Sequence, residues 1–155
     1  MNDAGKKALF TSNSDEWSTP PDLFAELDKE FSFTLDPCAT DENHKTPRYF
    51  TRNENGLLQD WTGETVFCNP PYSDIAAWTR KAYEEASKQA SKQTIIVLLI
   101  PSRTDTRYFH EYILPYAEIR FIKGRLKFGN AKYNAPFPSL IAIYRSEYDR
   151  TEKML

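Results

Sequence analysis

Glu64-Thr65-Val66-Phe67-Cys68-Asn69-Pro70-Pro71-Tyr72 is the stretch on which the fold turns. Glu64 to Cys68 reads as a short strand, because β-branched and aromatic residues pack well on a pleated surface. The prolines then forbid further ladder hydrogen bonds and stiffen a turn. Ser73 or Asp74 can cap a helix that is expected to continue to about Gln93. Thr94 to Ile100 follows as a β-branched, continuously apolar run closed by Pro101. Such a run fits a strand covered on both faces, as in a parallel sheet with helices on each side.

Working outward, Trp17 begins the ordered region in this reading, after a polar lead-in over residues 1–16 that is expected to be flexible. Ser18 or Thr19 can cap a helix whose first turn holds Pro20 and Pro21. Leu23, Phe24, Leu27 and Phe31 recur at helical spacing, so one face is buried. Phe33 to Leu35 is a short strand ending at Asp36-Pro37, and a further short strand lies near Tyr49-Phe50. Beyond Pro101, Thr104 or Asp105 starts a helix to about Leu114. Ala117 to Ile122 and Leu140 to Tyr144 are strands with nothing helical between them, so they pair as an antiparallel hairpin with Lys123 to Ser139 as its connection. The fold class is α/β: a compact three-layer sandwich around a mostly parallel sheet, one domain over residues 17–147, with a tail over 148–155. In such sheets the ligand crevice lies outside the carboxyl ends of the strands. Asp36-Pro37-Cys38-Ala39 and Asn69-Pro70-Pro71-Tyr72 both sit at such ends.

Composition sets the class. The chain has 155 residues, 40% of them hydrophobic and 27% charged, which suits an ordinary globular domain and excludes a disordered or collagen-like chain. No apolar run approaches the roughly 20 residues of a membrane span, and the first residues, Met1 to Lys7, have no apolar core of a signal peptide. Cys38, Cys68, His44 and His110 have no metal-ligand spacing, so no metal is expected. Two cysteines make no disulfide framework and suit a reducing cytoplasm. Charge is uneven: residues 1–102 carry 10 Lys/Arg against 16 Asp/Glu, whereas residues 103–155 carry 10 against 6. Arg103, Arg107, Arg120, Lys123, Arg125, Lys127 and Lys132 cluster in the basic part, interleaved with Phe128, Tyr133 and Phe137. A solvated exterior explains such charges plainly. Cations for phosphate and aromatics for an extruded base explain them as a DNA-binding face.

The turn after the 64–68 strand suits methyl transfer to an aromatic amine. That nitrogen's lone pair is delocalised into its ring, so it is a poor nucleophile. Two acceptors facing the amine localise the pair and orient it. The Asn69 side-chain carbonyl and the Pro70 backbone carbonyl can serve, held by a proline-stiffened turn that needs little reorganisation. Pro71 offers no competing N–H, and Tyr72 offers a planar face for a base. A strand-ending turn is the plainer reading of Asn-Pro taken alone.

Asn69-Pro70-Pro71-Tyr72 resembles the signature of amino-group methyltransferases that use S-adenosylmethionine. Ser18 to Pro21, Leu35 to Thr40, Pro47 to Thr51, Asn55 to Leu57, Asp60-Trp61, Pro101 to Thr106, Gly124 to Gly129 and Ala135 to Ser139 extend the likeness. Together they resemble the bacteriophage-type DNA N-6-adenine methyltransferase family. The resemblance implies a Rossmann-like methyltransferase fold, S-adenosylmethionine as cofactor and DNA as partner. It also implies direct in-line methyl transfer to N6 of a flipped adenine, in the cytoplasm of a bacterial host.

Carried over, Asn69 to Tyr72 are the catalytic residues. Thr19, Pro20, Asp36, Pro37, Cys38, Ala39, Asp60 and Asn69 are cofactor contacts, with Asp60 a candidate for the cofactor's adenine amine. Asp41 and Glu42 are ribose candidates by position. Arg103, Arg107, Lys123, Arg125, Lys127, Phe128, Lys132 and Phe137 face DNA, and Phe128 or Phe137 closes the base pocket opposite Tyr72. The loop after the first strand lacks the glycines common in methyltransferases. Alternatives to DNA methylation are a protein glutamine methyltransferase, whose planar amide also fits two acceptors, and a non-catalytic DNA-binding module.

Overall fold

The structure, a computed structural model, describes residues 17–129 and 131–147. The expectations for residues 1–16 and 148–155 lie outside these. Chain order is α1 (Pro21–Phe31), β1 (Leu35–Asp36), β2 (Arg48–Tyr49), β3 (Thr65–Cys68), α2 (Ile75–Ala86), β4 (Ile95–Pro101), β5 (Glu118–Phe121) and β6 (Ser139–Arg145). Short 3-10 turns at Gly56–Leu58 and Tyr72–Asp74 and a π-helical turn at Phe109–Ile113 complete it. The six strands form one sheet in the order β2-β1-β3-β4-β6-β5. β1, β2, β3 and β4 pair in parallel, while β6 runs antiparallel to both β4 and β5.

Side-chain alternation builds three layers, as expected. Val66, Cys68, Ile96, Leu98 and Ile100 pack with Ile75, Trp78 and Ala82 of α2 and with Phe109 and Ile113 of the π turn. Phe67, Val97, Leu99, Ile141 and Ile143 face the other way, onto Leu27, Leu23, Phe24 and Phe31 of α1 and onto Phe128 and Ala135 of the β5–β6 connection. β3 is buried at all four positions and β4 at six of seven, so both strands need apolar residues on both faces.

Several local expectations are corrected. α2 stops at Ala86, not near Gln93. Ser87 Oγ donates to the Tyr83 carbonyl (2.7 Å) at that end, and residues 87–93 offer only Ala90 as an apolar side chain to bury. Pro20 stands at the cap position of α1 and Asp74 at that of α2, and neither side chain makes a capping bond. The Thr19 hydroxyl is taken by Asn69 instead. The expected helix after Pro101 is present but starts later, at residue 107, and is π-type over Phe109–Ile113, where the Leu114 N–H donates to the Phe109 carbonyl (2.8 Å). Pro115 has no N–H with which to continue it.

Candidate active site

β1, β3 and β4 end at one edge, and β5 ends and β6 begins there too. A cleft of about 660 Å³ opens along this edge, the size of a small-molecule site. Its lining includes Trp17 to Thr19, Asp36 to Thr40, Asn43, Lys45, Thr51, Arg52, Asn55 to Leu57, Asn69, Pro71 and Trp78.

The floor is the turn after β1. Asp36 is 4% exposed, and its carboxylate accepts from the Cys38 N–H (3.3 Å) and the Lys45 N–H (3.0 Å). Burial raises its pKa to about 6, opposed by those two bonds and by the charges of Lys45 and His44. Burial likewise pushes the Cys38 thiol up to about 12 and the Cys68 thiol well above its ordinary value, so both sulfurs stay protonated. They are free cysteines.

The floor has no glycine of its own, but Gly56 supplies the close approach. A Cβ there would sit 2.0 Å from the Pro37 carbonyl oxygen. Only glycine lets the Gly56–Leu58 turn lie on the floor. Trp61, fully buried, holds that turn from below: its indole N–H donates to the Gly56 carbonyl (3.0 Å) and its ring stacks on Trp78.

The wall is Asn69. Its side-chain Nδ2 donates to the Trp17 carbonyl and to Thr19 Oγ1 (3.1 Å). A backbone carbonyl only accepts, so the atom facing Trp17 must be the nitrogen. This leaves Asn69 Oδ1 buried without a hydrogen-bond partner among the described residues. Buried polar atoms are rarely left so, and such exceptions point to a missing ligand or a functional role. Pro71 is extended (φ −62°, ψ 130°) and its carbonyl accepts from the Asp74 N–H (3.1 Å), which fixes the turn.

Tyr72 lies in an aromatic box. Its ring is near-parallel to Trp17 at 6.4 Å and meets Phe137 (5.5 Å) and Phe128 (6.3 Å) edge-on. Its hydroxyl is buried without a hydrogen-bond partner, and burial raises its pKa.

Thus Thr19, Asp36, Pro37, Cys38, Ala39, Asn69 and Pro71 line one cleft, with Pro70 and Tyr72 in the same turn and Pro20 at the start of α1. Asp60 lies elsewhere. It is exposed at the opposite edge of the sheet, accepting from Thr62 (N–H 3.0 Å, hydroxyl 2.5 Å) with Lys88 Nζ at 3.5 Å. It precedes β3 by five residues, so it falls at the strand's amino end. Asp41 accepts from the Tyr49 hydroxyl (2.7 Å), and neither it nor Glu42 lines the cleft.

Arg103, Lys123, Arg125, Lys127 and Lys132 are exposed on the loops after β4 and β5, at the cleft's edge of the sheet. Arg107 is also exposed but pairs with Glu111 (2.6 Å). Arg120 is engaged by Glu30 (2.7 Å) and Glu118 (3.0 Å) and packs over Phe31, which makes it a structural cation. Phe137 is half-buried. Phe128 is 1% exposed and packs in the core, so its ring presents no face to solvent.

Trp17, Lys45, Arg52 and Gly56 were not singled out as cleft residues from sequence. Only the Asn-Gly turn at Asn55-Gly56 carried a local signal.

A model of the DNA N-6-adenine-methyltransferase (Dam) family matches residues 6–146. A DNA N-6-adenine-methyltransferase of Haemophilus phage HP1 (strain HP1c1) is 28% identical over 163 residues, covering 92% of this chain and 92% of its own. A DNA N-6-adenine-methyltransferase of Escherichia phage T1 is 32% identical over 115 residues, covering 72% of this chain. The match spans about half of the T1 protein, 46%. With its family model spanning the whole sheet and its Asn-Pro-Pro-Tyr turn on the cleft wall, the chain belongs to the DNA N-6-adenine-methyltransferase family.

Proposed function

We propose that the carboxyl-edge cleft is where this chain, as a DNA adenine N6-methyltransferase, binds S-adenosylmethionine and methylates adenine. The observation that carries the reading is the unpartnered Asn69 Oδ1 on the wall of a ligand-sized cleft. The cleft's chemistry fits the cofactor: a buried carboxylate suits a cationic ligand, and a cleft of about 660 Å³ has room for a nucleoside. S-adenosylmethionine, when bound, supplies a methyl group on a positively charged sulfur.

The chain's own residues do the rest. Asn69 Oδ1 and the Pro70 carbonyl accept from the two N6 hydrogens of the target adenine. This draws the nitrogen lone pair out of the ring and aims it. Preorganised acceptors of this sort need no rearrangement during reaction. Tyr72 gives the base a stacking face, after the aromatic box rearranges to admit it. Asp36 to Ala39, with Thr19 and Pro20 above, hold the cofactor, and Arg52 and Lys45 bring positive charge to the same cleft. Asp60 has no part in it.

Extrusion of the base costs a few kcal/mol. Arg103, Lys123, Arg125, Lys127 and Lys132 offset this by holding phosphates, joined by Arg107 when Glu111 releases it. Phe137 takes the pocket-closing role, and Phe128 supports it from the core. The whole reaction is assigned to one domain over residues 17–147, acting in the cytoplasm of a bacterial host. The phage origin of the relatives supports that setting.

The test is transfer of labelled methyl from S-adenosylmethionine to duplex DNA, followed by nucleoside analysis. Label in N6-methyladenine is the expected result. Label in a glutamine-bearing peptide, or cofactor binding with no transfer, would instead support one of the two alternatives.

A further inference from the structure

We propose that Thr19 is a positioning residue for Asn69, and that the Trp17–Thr19 segment makes position 69 specific for asparagine over aspartate. This rests on the catalytic reading of Asn69 given above.

The Asn69 amide has two N–H bonds, and the segment before α1 offers it two acceptors, the Trp17 carbonyl and Thr19 Oγ1. Both acceptors sit about fifty residues away in sequence, so they constrain the side chain from outside its own turn. With both N–H bonds engaged, the amide cannot rotate without losing them. The third polar atom, Oδ1, is thereby fixed as the unpartnered acceptor. Thr19 is 4% exposed, so water does not substitute for its hydroxyl. That hydroxyl, freed from any role in capping α1, serves the amide instead.

The same geometry discriminates against aspartate. A carboxylate at position 69 would place an oxygen against the Trp17 carbonyl, an acceptor facing an acceptor. Thr19 can turn its hydroxyl proton toward a carboxylate, but a backbone carbonyl has no proton to offer. The segment therefore reads the amide nitrogen. Aspartate would have to swing away, taking its second oxygen out of place.

The experiment uses three full-length variants. Thr19→Val keeps the shape and removes the acceptor, whereas Thr19→Ser keeps the acceptor and removes a methyl. Positioning predicts that Thr19→Val loses roughly tenfold in kcat, the scale of one hydrogen bond. It predicts Thr19→Ser within about twofold of the unsubstituted chain, and Asn69→Asp down by roughly a hundredfold or more. A packing role predicts the opposite ranking, with Thr19→Val the milder change. A role confined to the cofactor, which Thr19 also helps to hold, predicts a raised KM for S-adenosylmethionine at unchanged kcat. Either result overturns the proposal.

A second readout needs no turnover. In isotope-labelled protein, the Asn69 side-chain amide resonances should move in Thr19→Val and stay in Thr19→Ser. Unmoved resonances in Thr19→Val also overturn it. Asn69→Ala separates the two levels. Full activity in that variant removes the catalytic reading itself. An inactive Asn69→Ala beside a fully active Thr19→Val removes only the positioning.

Discussion

The two edges of the sheet treat polar groups in opposite ways. At the amino edge, Glu85 is fully buried yet its charge is answered twice: Oε1 accepts from Lys81 (2.6 Å), and Oε2, which has no hydrogen bond among the described residues, is ion-paired with Lys88 (2.7 Å). Beside it, Thr94 accepts from the Gly63 N–H (2.8 Å) and its own N–H donates to Ser146 Oγ (2.7 Å). At the carboxyl edge, Asn69 Oδ1, the Tyr72 hydroxyl and Ser139 Oγ are buried with no hydrogen-bond partner among the described residues. Asp36 is buried there as well, and its pKa is raised. One edge is finished for stability. The other carries unmet polar groups, a cost that a substrate and a cofactor can relieve.

The sharpest way to break this contrast is at the finished edge. Glu85→Ala strands two lysines beside a buried site, and breaking such a pair costs about 3–5 kcal/mol. Urea denaturation should show that loss, while kcat of the folded fraction stays unchanged. A fall in kcat at full stability would erase the division of labour.

Asn69→Ala is the counterpart at the open edge. Removing one preorganised polar partner typically costs 10²–10³-fold, so kcat should fall by roughly that factor. Its denaturation midpoint should fall by an amount equivalent to about 1–3 kcal/mol, because the Trp17 carbonyl and the buried Thr19 hydroxyl lose the Asn69 amide as partner. An unfolded Asn69→Ala would place this residue with the stabilising groups.

Asp36 sharpens the comparison through pH. Its folded pKa, about 6, lies above the ordinary carboxylate value. The stability it contributes is therefore complete below about pH 4 and is lost as pH rises through 6. Asp36→Asn removes that loss. Relative to the unsubstituted protein, the variant should gain about 2 kcal/mol between pH 4.5 and 7.5, read by denaturation at each pH. It should also bind S-adenosylmethionine more weakly at pH 7.5, because the carboxylate that answers a cation is gone. A pH-independent gap between the two proteins would contradict the burial argument.

Lys127→Ala is the smallest expected effect. An exposed cation that holds a phosphate should weaken DNA binding a few-fold and reduce the salt slope by about one. An unchanged slope in a salt titration removes Lys127 from the DNA face.

Legibility followed the range of the interactions. β3 and β4 were readable because their burial on two faces demands unbroken apolar residues within a few positions. The antiparallel pairing of β5 and β6 followed from the lack of a helix between them. The Asn-Pro-Pro-Tyr turn was readable because its chemistry is contiguous. Thr19 looked like a helix cap because a cap is a local role, while its true partner lies fifty residues on. Gly56 carried a turn signal but its packing role is not local: its need for no side chain comes from Pro37, in contact with it on the floor and distant in sequence. Asp60 was misplaced because a family motif gives an order along the chain and not an edge of the sheet. The overlong α2 came from extending a helix through residues that have no face to bury.

The direction of β6 has a bearing on how this enzyme family diversifies. Since β6 returns between β4 and β5, the chain leaves β5 and re-enters the sheet on the substrate side. Phe128 and Ala135 of that connection are tied to α1, whereas Lys132 to Asn134 at its tip are exposed, so residues can be added or removed at the tip without unpairing a strand or repacking α1. The variable part is thereby confined to a few positions facing solvent, while the sheet is inherited whole.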